Sequence, residues 1–388
     1  MKKLMHGLKA LTVAAALWGG GTLFSTVAQA QPITIGAIYP MTGSASFLGI
    51  PEDRALRMIV EEWNKAGGLG GREVKVIVYD TEGNSSKTVQ QLRRLVESDK
   101  VDVVFGPSSS GESLAAIPIA NELATPMIAH GGTEAIVTPP LKYVFNSVPV
   151  DRVAISHVLN YAKTKGMKKL AMMSAADGYG QSGARILKAI AGNFGIDVVA
   201  MEEFNRQDLD ITAQVLRVQQ KAPDAVMVWS ALPGPSVILK NAHAVGFKAP
   251  IIVGYGGASN QLVANLGPAA EGVYISSFRL LVPDSLPDSD PSKPVVDRLY
   301  KNYKAKYGEA PENFAQHSFD AALILEQAVK QISGKVTRDN LRDAIEKVQV
   351  TGANGQFRFT PDNHGGLSVE SKPLIMLRHE QGKWKVAE

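Results

Sequence analysis

The chain has 388 residues, of which 45% are hydrophobic and 20% charged, so it is long and apolar enough to form more than one folded domain. Lys and Arg total 41 against 37 Asp and Glu, and Lys2, Lys3 and Lys9 precede any acid, so the formal charge of +4 does not indicate a nucleic-acid partner. The absence of cysteine excludes disulfides, thiolate metal sites and cysteine nucleophiles.

The first segment, residues 1–30, has the pattern of a cleaved secretory signal peptide. Its lysines precede an apolar stretch, and Ala28-Gln29-Ala30 supplies the small residues of a cleavage site. No later run reaches the roughly 20 apolar residues that cross a bilayer. We therefore expect a mature chain starting near Gln31 that is soluble outside the cytoplasm, most simply in a bacterial periplasm.

From Ile33 onward, short β-rich runs alternate with amphipathic helical patterns, which is typical of parallel sheets built from βαβ units. The predicted strands are residues 33–38, 74–79, 101–105 and 126–129 and, after a restart near Pro149, residues 170–174, 198–201, 225–229 and 251–254. The sequence thus predicts an α/β protein with two domains of the same class. Three helical patterns follow a Pro- and Asp-rich loop at 282–294, and short strands at 357–359, 374–377 and 384–386 are expected to complete the existing sheets.

The sequence contains no recognisable catalytic, cofactor or metal motif. The glycines of residues 67–72 lie between a helix and a strand, the wrong order for a phosphate loop, and predict a helix stop and turn. The first strand leads into a segment without the paired glycines of a dinucleotide site, and Gly-x-Ser-x-Gly is absent. The scattered histidines lack metal-site spacing. We expect no enzyme activity, no cofactor and no metal.

Two loops after strands of the first domain indicate a binding site. Gly106-Pro107-Ser108-Ser109-Ser110-Gly111 brings hydroxyls and free N–H groups to the start of a helix, which favours an anion. The next strand ends in His130-Gly131-Gly132-Thr133, where glycines allow close backbone approach. The alternative, that Ser109 or Ser110 only caps the helix, remains open.

The chain resembles type I periplasmic solute-binding proteins of the leucine/isoleucine/valine-binding class, which feed ABC importers. The resemblance runs through nearly the whole mature chain. The matching segments are Ile35-Gly36-Ala37-Ile38-Tyr39-Pro40-Met41-Thr42-Gly43, Asn64-Lys65-Ala66-Gly67-Gly68, Gly71-Arg72, Tyr79-Asp80, Gly106-Pro107, Ser109-Ser110-Gly111, Gly131-Gly132-Thr133, Asp177-Gly178-Tyr179-Gly180 and Ala270-Glu271-Gly272.

The resemblance implies two doubly wound parallel-sheet lobes joined by a three-crossing hinge, with a small ligand between them. Lobe I would comprise residues 31–148 and 279–358, and lobe II residues 149–278 and 359–388. The carboxylate-binding serine of the family falls on Ser110, beside Ser109, and the loop for ligand backbone groups falls on Gly131, Gly132 and Thr133. An aromatic wall falls on Phe47 and the lid of the second lobe on Tyr179.

The second-lobe loop departs from the family pattern. Amino-acid-binding members often place an acid there to pair the ligand ammonium, whereas this loop is Gly254-Tyr255-Gly256-Gly257-Ala258. A buried ammonium without a charged partner is costly, so the sequence favours an amine-free carboxylate such as an aromatic acid, with Tyr255 and Gly256 in contact. Asp177 offers a counter-charge, so an amino acid stays possible.

The expected partners are this ligand and the membrane permease of an ABC importer, and monomer is the family default. Two other classes of protein remain as alternatives. One is a ligand sensor for a signalling partner, and the other is a secreted α/β hydrolase or dehydrogenase on a similar sheet.

Overall fold

The computed structural model describes residues 31–264 and 266–387, so the predicted signal peptide lies outside the described residues. Two sheets organise these residues, together with one small hairpin. The strands are β1 (Ile33–Tyr39), β2 (Val74–Asp80), β3 (Val103–Phe105), β4 (Met127–Ala129), β5 (Val144–Asn146), β6 (Lys169–Ala175), β7 (Asp197–Phe204), β8 (Ala225–Trp229), β9 (Ile251–Val253), β10 (Tyr274–Ser277), β11 (Gln349–Gly352), β12 (Gly355–Arg358), β13 (Ile375–Glu380) and β14 (Lys383–Val386).

The first sheet, the centre of lobe I, has five parallel strands in the order β2-β1-β3-β4-β5. In register, Ile35 of β1 lies between Val76 of β2 and Val103 of β3. Strands β3, β4 and β5 are buried along their whole length, as expected for parallel strands covered on both faces.

The second sheet, the centre of lobe II, has the order β14-β13-β10-β9-β8-β6-β7. Strands β6 to β10 are parallel, and β13 and β14 extend the sheet as antiparallel edge strands. The expectation that the late strands complete existing sheets is confirmed for β13 and β14. It is wrong for residues 357–359, because β12 pairs with β11 in a separate hairpin. The turn of that hairpin is fixed by the Asp320 carboxylate, which accepts the N–H groups of Ala353 and Asn354.

Helices cover both faces of each sheet, which is the doubly wound arrangement. They are α1 (Ser46–Lys65), α2 (Ser85–Arg93), α3 (Ser110–Glu122), α4 (Asp151–Thr164), α5 (Gly178–Ile190), α6 (Thr212–Gln220), α7 (Gly234–Ala244), α8 (Asn260–Ala264), α9 (Lys293–Tyr307), α10 (Ala315–Lys330) and α11 (Arg338–Ile345). In lobe I, α1, α9 and α10 bury one face and α2 and α3 the other. None of the described helices is long and apolar enough to span a membrane.

The glycine-rich segment after α1 is a turn, as its position predicted. Leu69 and Arg72 pair across it, and Gly68 takes a φ of +89°. A side chain at Gly68 would place its Cβ 2.1 Å from the Arg72 carbonyl oxygen, so only glycine fits this bend.

The chain crosses between the lobes three times, after β5, after β10 and before β13. The first two crossings follow the ends of β5 at Asn146 and of β10 at Ser277. For the third, Phe359 and Leu367 pack in the core of lobe I, whereas Leu374 packs in the core of lobe II. The third crossing therefore follows Leu367, because the chain first completes the apolar layer beneath the first sheet.

Candidate functional site

A cavity of about 180 Å³ lies between the lobes, at the carboxyl ends of the central strands. Lobe I contributes the loop after β3, with Ser109, Ser110 and Gly111, and lobe II contributes Tyr179 of α5 and Gly256 after β9. In open α/β sheets, ligands bind outside the carboxyl ends of the strands. The position therefore agrees with the two loops that the sequence singled out.

The loop after β3 leads into α3, and its last two serines, Ser109 and Ser110, make different contacts. Ser109 is the N-cap, and its side chain accepts the Glu112 N–H. Ser110 Oγ accepts the N–H groups of Gly132 at 3.1 Å and Thr133 at 3.2 Å, which ties the two predicted loops together. Both lone-pair positions of Ser110 are then occupied, so its own hydroxyl hydrogen is left to donate into the cavity. The first-turn N–H groups of α3 have no acceptor within the helix.

The lobes meet around the cavity through direct contacts. Thr133 Oγ1 of lobe I lies 2.7 Å from Ser182 Oγ of α5 in a buried hydrogen bond. On the lobe II side, Tyr255 Oη donates to the Pro149 carbonyl oxygen at 2.8 Å. A Cβ at Gly132 would lie 2.0 Å from Tyr255 Oη, so the approach of the lobes depends on the missing side chain. The cleft between the two lobes is therefore closed in this structure.

Aromatic rings of lobe II form one wall. Tyr179 stacks on Trp229 at 5.4 Å between ring centroids and meets Tyr255 edge-on at 5.8 Å. The Tyr179 hydroxyl is buried without a hydrogen-bond partner among the described residues, and burial raises its pKa, so it remains a neutral donor and acceptor. Position 256 has room only for glycine, because a Cβ there would lie 2.7 Å from the Tyr179 ring.

Two opposite charges line the mouth of the cavity. Arg206 Nη1 lies 3.6 Å from Asp177 Oδ2. The other Asp177 oxygen caps α5 by accepting the N–H groups of Tyr179 and Gly180. Asp177 therefore already has a cation and two amides as partners.

A buried polar cluster of three residues, Glu52, His130 and His317, lies in lobe I at the edge of the cavity. Glu52 Oε1 lies 2.9 Å from His317 Nδ1 and 3.2 Å from His130 Nδ1, and the Ser108 hydroxyl donates to Glu52 Oε2. Burial alone would raise the pKa of the Glu52 carboxyl, but the charge and hydrogen bonds of the two imidazoles outweigh it and lower this pKa to about 2. Burial lowers the pKa of His317.

The sequence analysis missed this cluster. Its members lie on α1, after β4 and on α10, so no spacing rule joins them. The available signal was His130 at the end of a buried strand, whereas Glu52 is followed by Asp53 and Arg54 and does not stand out in α1.

Of the predicted site residues, Ser109, Ser110, Gly132, Tyr179, Tyr255 and Gly256 line the cavity. Gly131 and Thr133 do not line it. Gly131 is packed against Ile136 and Ser113, and Thr133 makes the cross-lobe bond. Phe47 lies outside the cavity, at the outer rim between the lobes, where its ring meets Phe314 edge-on at 5.4 Å. Leu48, which follows Phe47 in the first turn of α1, lines the cavity instead.

Comparison with known proteins agrees with this architecture. A family model described as "Periplasmic binding protein" matches residues 32–369. The chain belongs to the periplasmic binding protein family. It is 25% identical to Leu/Ile/Val-binding protein homolog 7 of Brucella suis, covering 97% of this chain and 94% of that protein. It is 28% identical to homolog 8 of Brucella abortus, covering 97% and 95%.

Solved structures give the same result. An extracellular ligand-binding receptor from Rhodopseudomonas palustris HaA2 superposes with a TM-score of 0.83 at 28% identity, covering 92% of this chain and 99% of that one. The branched-chain amino acid substrate-binding protein LivJ of Streptococcus pneumoniae, in complex with isoleucine, shares the fold with a TM-score of 0.80 at 24% identity, covering 92% and 99%. The predicted family and two-lobed fold are confirmed.

The chain is thus a periplasmic binding protein similar to Leu/Ile/Val-binding protein homologues, and proteins of this family are solute-binding proteins, not enzymes. Proteins of this family bind small molecules and present them to ABC permeases. The two-lobed cleft described above is the part of the molecule that fits this activity.

Proposed function

We propose that the chain is the periplasmic solute-binding component of an ABC importer and that it closes its lobes on a small carboxylate. The signal peptide of residues 1–30 would direct it to the periplasm, where it acts as a monomer. Closure would move lobe II, from residue 149 to 278 with the strands after Leu367, against lobe I. The observation that carries this proposal is the Ser110 hydroxyl, which accepts two backbone N–H groups and lines a cavity bounded by both lobes.

The carboxylate end of the solute is placed at the start of α3. The Ser110 hydroxyl donates to one oxygen, and the first-turn N–H groups of Ser110 and Gly111 donate to the other. The positive end of the helix dipole stabilises the same charge. The remainder of the solute then packs against the Tyr179 ring in lobe II.

An amine-free acid, such as an aromatic acid, fits the charges of the cavity best. An α-amino acid also needs an anion for its ammonium group, and the loop after β9 supplies Gly256 rather than an acid. Two acids line the cavity, and both already have partners. Arg206 and two amides contact Asp177, and the hydroxyls of Thr81, Thr88 and Ser109 donate to Glu112. Arg206 is in addition a cation suited to a second acidic group.

An amino acid is the second candidate. Two observations favour it. The sequence relatives are Leu/Ile/Val-binding protein homologues, and one similar structure was solved in complex with isoleucine. Asp177 would then leave Arg206 and pair with the ammonium.

Matched pairs of solutes separate the candidates. Tag-free mature protein is titrated calorimetrically with phenylpyruvate against phenylalanine and with 4-methyl-2-oxopentanoate against leucine, since each pair differs only at the α-carbon. We expect the oxo acid of at least one pair to bind roughly tenfold or more tightly than its amino acid. Tighter binding of the amino acids would overturn the ligand class. A crystal grown with a captured solute outside the cleft would overturn the proposed function itself.

The carboxylate position is tested by Ser110→Ala. Loss of the hydroxyl should weaken solute binding by about 1–3 kcal/mol, because the carboxylate loses a charge-assisted hydrogen bond and the loop after β4 loses its acceptor. The control is Ser156→Ala, a buried serine of α4 that does not line the cavity. Equal dissociation constants for S110A and S156A would contradict the assignment.

A further inference from the structure

The buried cluster of Glu52, His130 and His317 has the composition of a metal site. One ligand atom from each of these residues can be chosen so that all three lie within 4.8 Å of one another. We propose that these three residues bind a divalent transition metal ion of the zinc type, with a fourth coordination position open to the cleft.

The distances within the cluster suit such an ion. For zinc bonds of 2.0–2.2 Å, two ligand atoms of a tetrahedral site lie roughly 3.3 Å apart. Glu52 Oε1 lies 2.9 Å from His317 Nδ1 and 3.2 Å from His130 Nδ1, so both donor pairs are already close to that separation. Small movements of the side chains would admit the ion.

The donor set selects the class of metal. Two imidazoles and one carboxylate suit Zn²⁺, Co²⁺, Ni²⁺ and Cu²⁺, whereas Mg²⁺ and Ca²⁺ prefer a shell of oxygen atoms. The same set, with one open position, occurs in zinc sites that accept an exogenous ligand. Glu52 and two neutral imidazoles leave a bound divalent ion with a net positive charge.

The surroundings hold the donors in place. The Ser108 hydroxyl donates to Glu52 Oε2, which orients the carboxylate and leaves Oε1 toward the histidines. The Tyr39 ring stacks on His130 at 5.8 Å, and Phe278 and Phe314 meet the His317 ring edge-on. This apolar shell keeps bulk water from the three donors, all of which are almost fully buried.

The imidazole orientations leave room for coordination. Nε2 of His130 and Nε2 of His317 are buried and have no hydrogen-bond partner among the described residues. His130 Nδ1 has no hydrogen-bond partner among them either, so coordination by His130 sacrifices no hydrogen bond, and coordination by His317 through Nδ1 leaves its Nε2 unaffected. A structural hydrogen-bond cluster would more commonly satisfy both nitrogens of a fully buried histidine.

The open position faces the place assigned to the solute. His130, His317 and Ser110 line the same cavity, so we place the fourth coordination position on the side of a carboxylate held at the start of α3. This last step rests on the proposed function, whereas metal binding by the three residues does not.

The experiment uses tag-free mature protein stripped with a chelator. Zn²⁺ alone is titrated calorimetrically, the bound metal is counted by elemental analysis, and Co²⁺ is added separately to record its visible spectrum. We expect one bound ion per chain with the strong absorption of tetrahedral Co²⁺. In His317→Gln and Glu52→Gln, binding should weaken roughly 100-fold or more. It should be unchanged in His379→Gln, the control, whose histidine is buried on β13.

Absence of stoichiometric Zn²⁺ in the native protein would overturn the proposal, and so would retention of full affinity in both cluster variants. If those variants do not fold, anomalous diffraction at the zinc edge from crystals of the native protein decides. A peak between the three residues supports the site, and a peak elsewhere overturns it.

Solute titrations with and without Zn²⁺ then separate the two proposals. Zinc binding without binding of any carboxylate would overturn the proposed function and leave the metal site standing. Binding of a carboxylate by a protein that binds no zinc would overturn the metal site and leave the proposed function standing.

Discussion

Thr133 Oγ1 and Ser182 Oγ lie 2.7 Å apart and join the loop after β4 in lobe I to α5 in lobe II. The bond is buried, and neither side chain lines the cavity. It therefore stabilises the closed arrangement of the lobes without touching the solute, so the energy of closure and the energy of solute contact are separable by mutation.

Thr133→Val keeps the shape of the side chain and removes this hydrogen bond. We expect solute binding to weaken by about 1 kcal/mol, roughly fivefold, because the closed state alone loses a bond. The measurement is the dissociation constant by calorimetry. Thr125→Val is the matched control, since Thr125 is also buried but bonds to the Leu123 carbonyl oxygen within lobe I. Equal affinities for the two variants would show that the cross-lobe bond does not stabilise closure.

Gly132→Ala should block closure. The new Cβ would lie 2.0 Å from Tyr255 Oη, so the variant should bind solute at least roughly tenfold more weakly, with no contraction on solute addition in X-ray scattering. Adding Tyr255→Phe removes the obstructing oxygen and should restore part of the affinity relative to Y255F alone. Gly192→Ala is the control, because a Cβ there meets nothing within 4 Å. Failure of the double variant to regain affinity would refute the steric explanation.

Asp177→Asn distinguishes the two solute classes. Asparagine also caps helices, so α5 should keep its start, while the negative charge at the mouth disappears. For an amine-free acid, we expect roughly two- to tenfold tighter binding, since Arg206 is released from its partner. The control is Asp210→Asn, an exposed acid of lobe II. A large loss of affinity in D177N would instead indicate a solute with an ammonium group.

Asp151 should make the stability of the protein depend on pH. Burial raises the pKa of its carboxyl to about 7, against 3.8 as the ordinary value. Between those values the folded state holds a proton that the unfolded state releases. The contribution of Asp151 to the unfolding free energy should therefore fall as pH rises from about 4 to 7, by at most about 1.4 kcal/mol per pH unit. Above pH 7 its contribution should be constant.

Asp151→Asn tests this dependence by urea unfolding at a series of pH values. The Trp229 indole N–H donates to Asp151 Oδ1 at 3.0 Å, and an asparagine oxygen can accept the same bond. Asp320, whose pKa burial raises to about 7, and His157, whose pKa burial lowers to about 4, contribute slopes of opposite sign to both proteins. The slope of D151N should therefore differ from the native slope by up to about 1.4 kcal/mol per pH unit, toward greater stability with rising pH. D210N should keep the native slope. If D151N and the native protein show the same slope, Asp151 does not contribute to the pH dependence of stability.

The sequence predicted the elements that depend on local pattern. Alternation of β-rich runs and helical periodicity gave the two parallel sheets, because each βα unit carries its own signal. The loops after β3 and β4 could be placed together, since parallel strands share one carboxyl edge. The late hairpin could not be foreseen, because its position depends on Asp320, which accepts two N–H groups from a turn some thirty residues later.

Long-range geometry accounts for the remaining differences in the site. Phe47 was expected at the pocket wall, but the orientation of α1 turns it outward onto Phe314 and brings Leu48 inward. A loop motif does not specify which of two consecutive residues in the first turn of the next helix faces the cavity. Glu52, His130 and His317 meet only after three elements pack, so spacing along the chain gave no sign of them.

The stacking of Trp229 on Tyr179 gives the molecule an intrinsic optical reporter. Trp229 is fully buried, bonds to Asp151 and is separated from the cavity by a single ring. The chain has four tryptophans, and Trp63 and Trp384 lie in the core of lobe I and on the outermost strand of lobe II. Indole emission can therefore follow solute capture without a dye, and its difference between native protein and Trp229→Phe would isolate the signal that comes from the cleft.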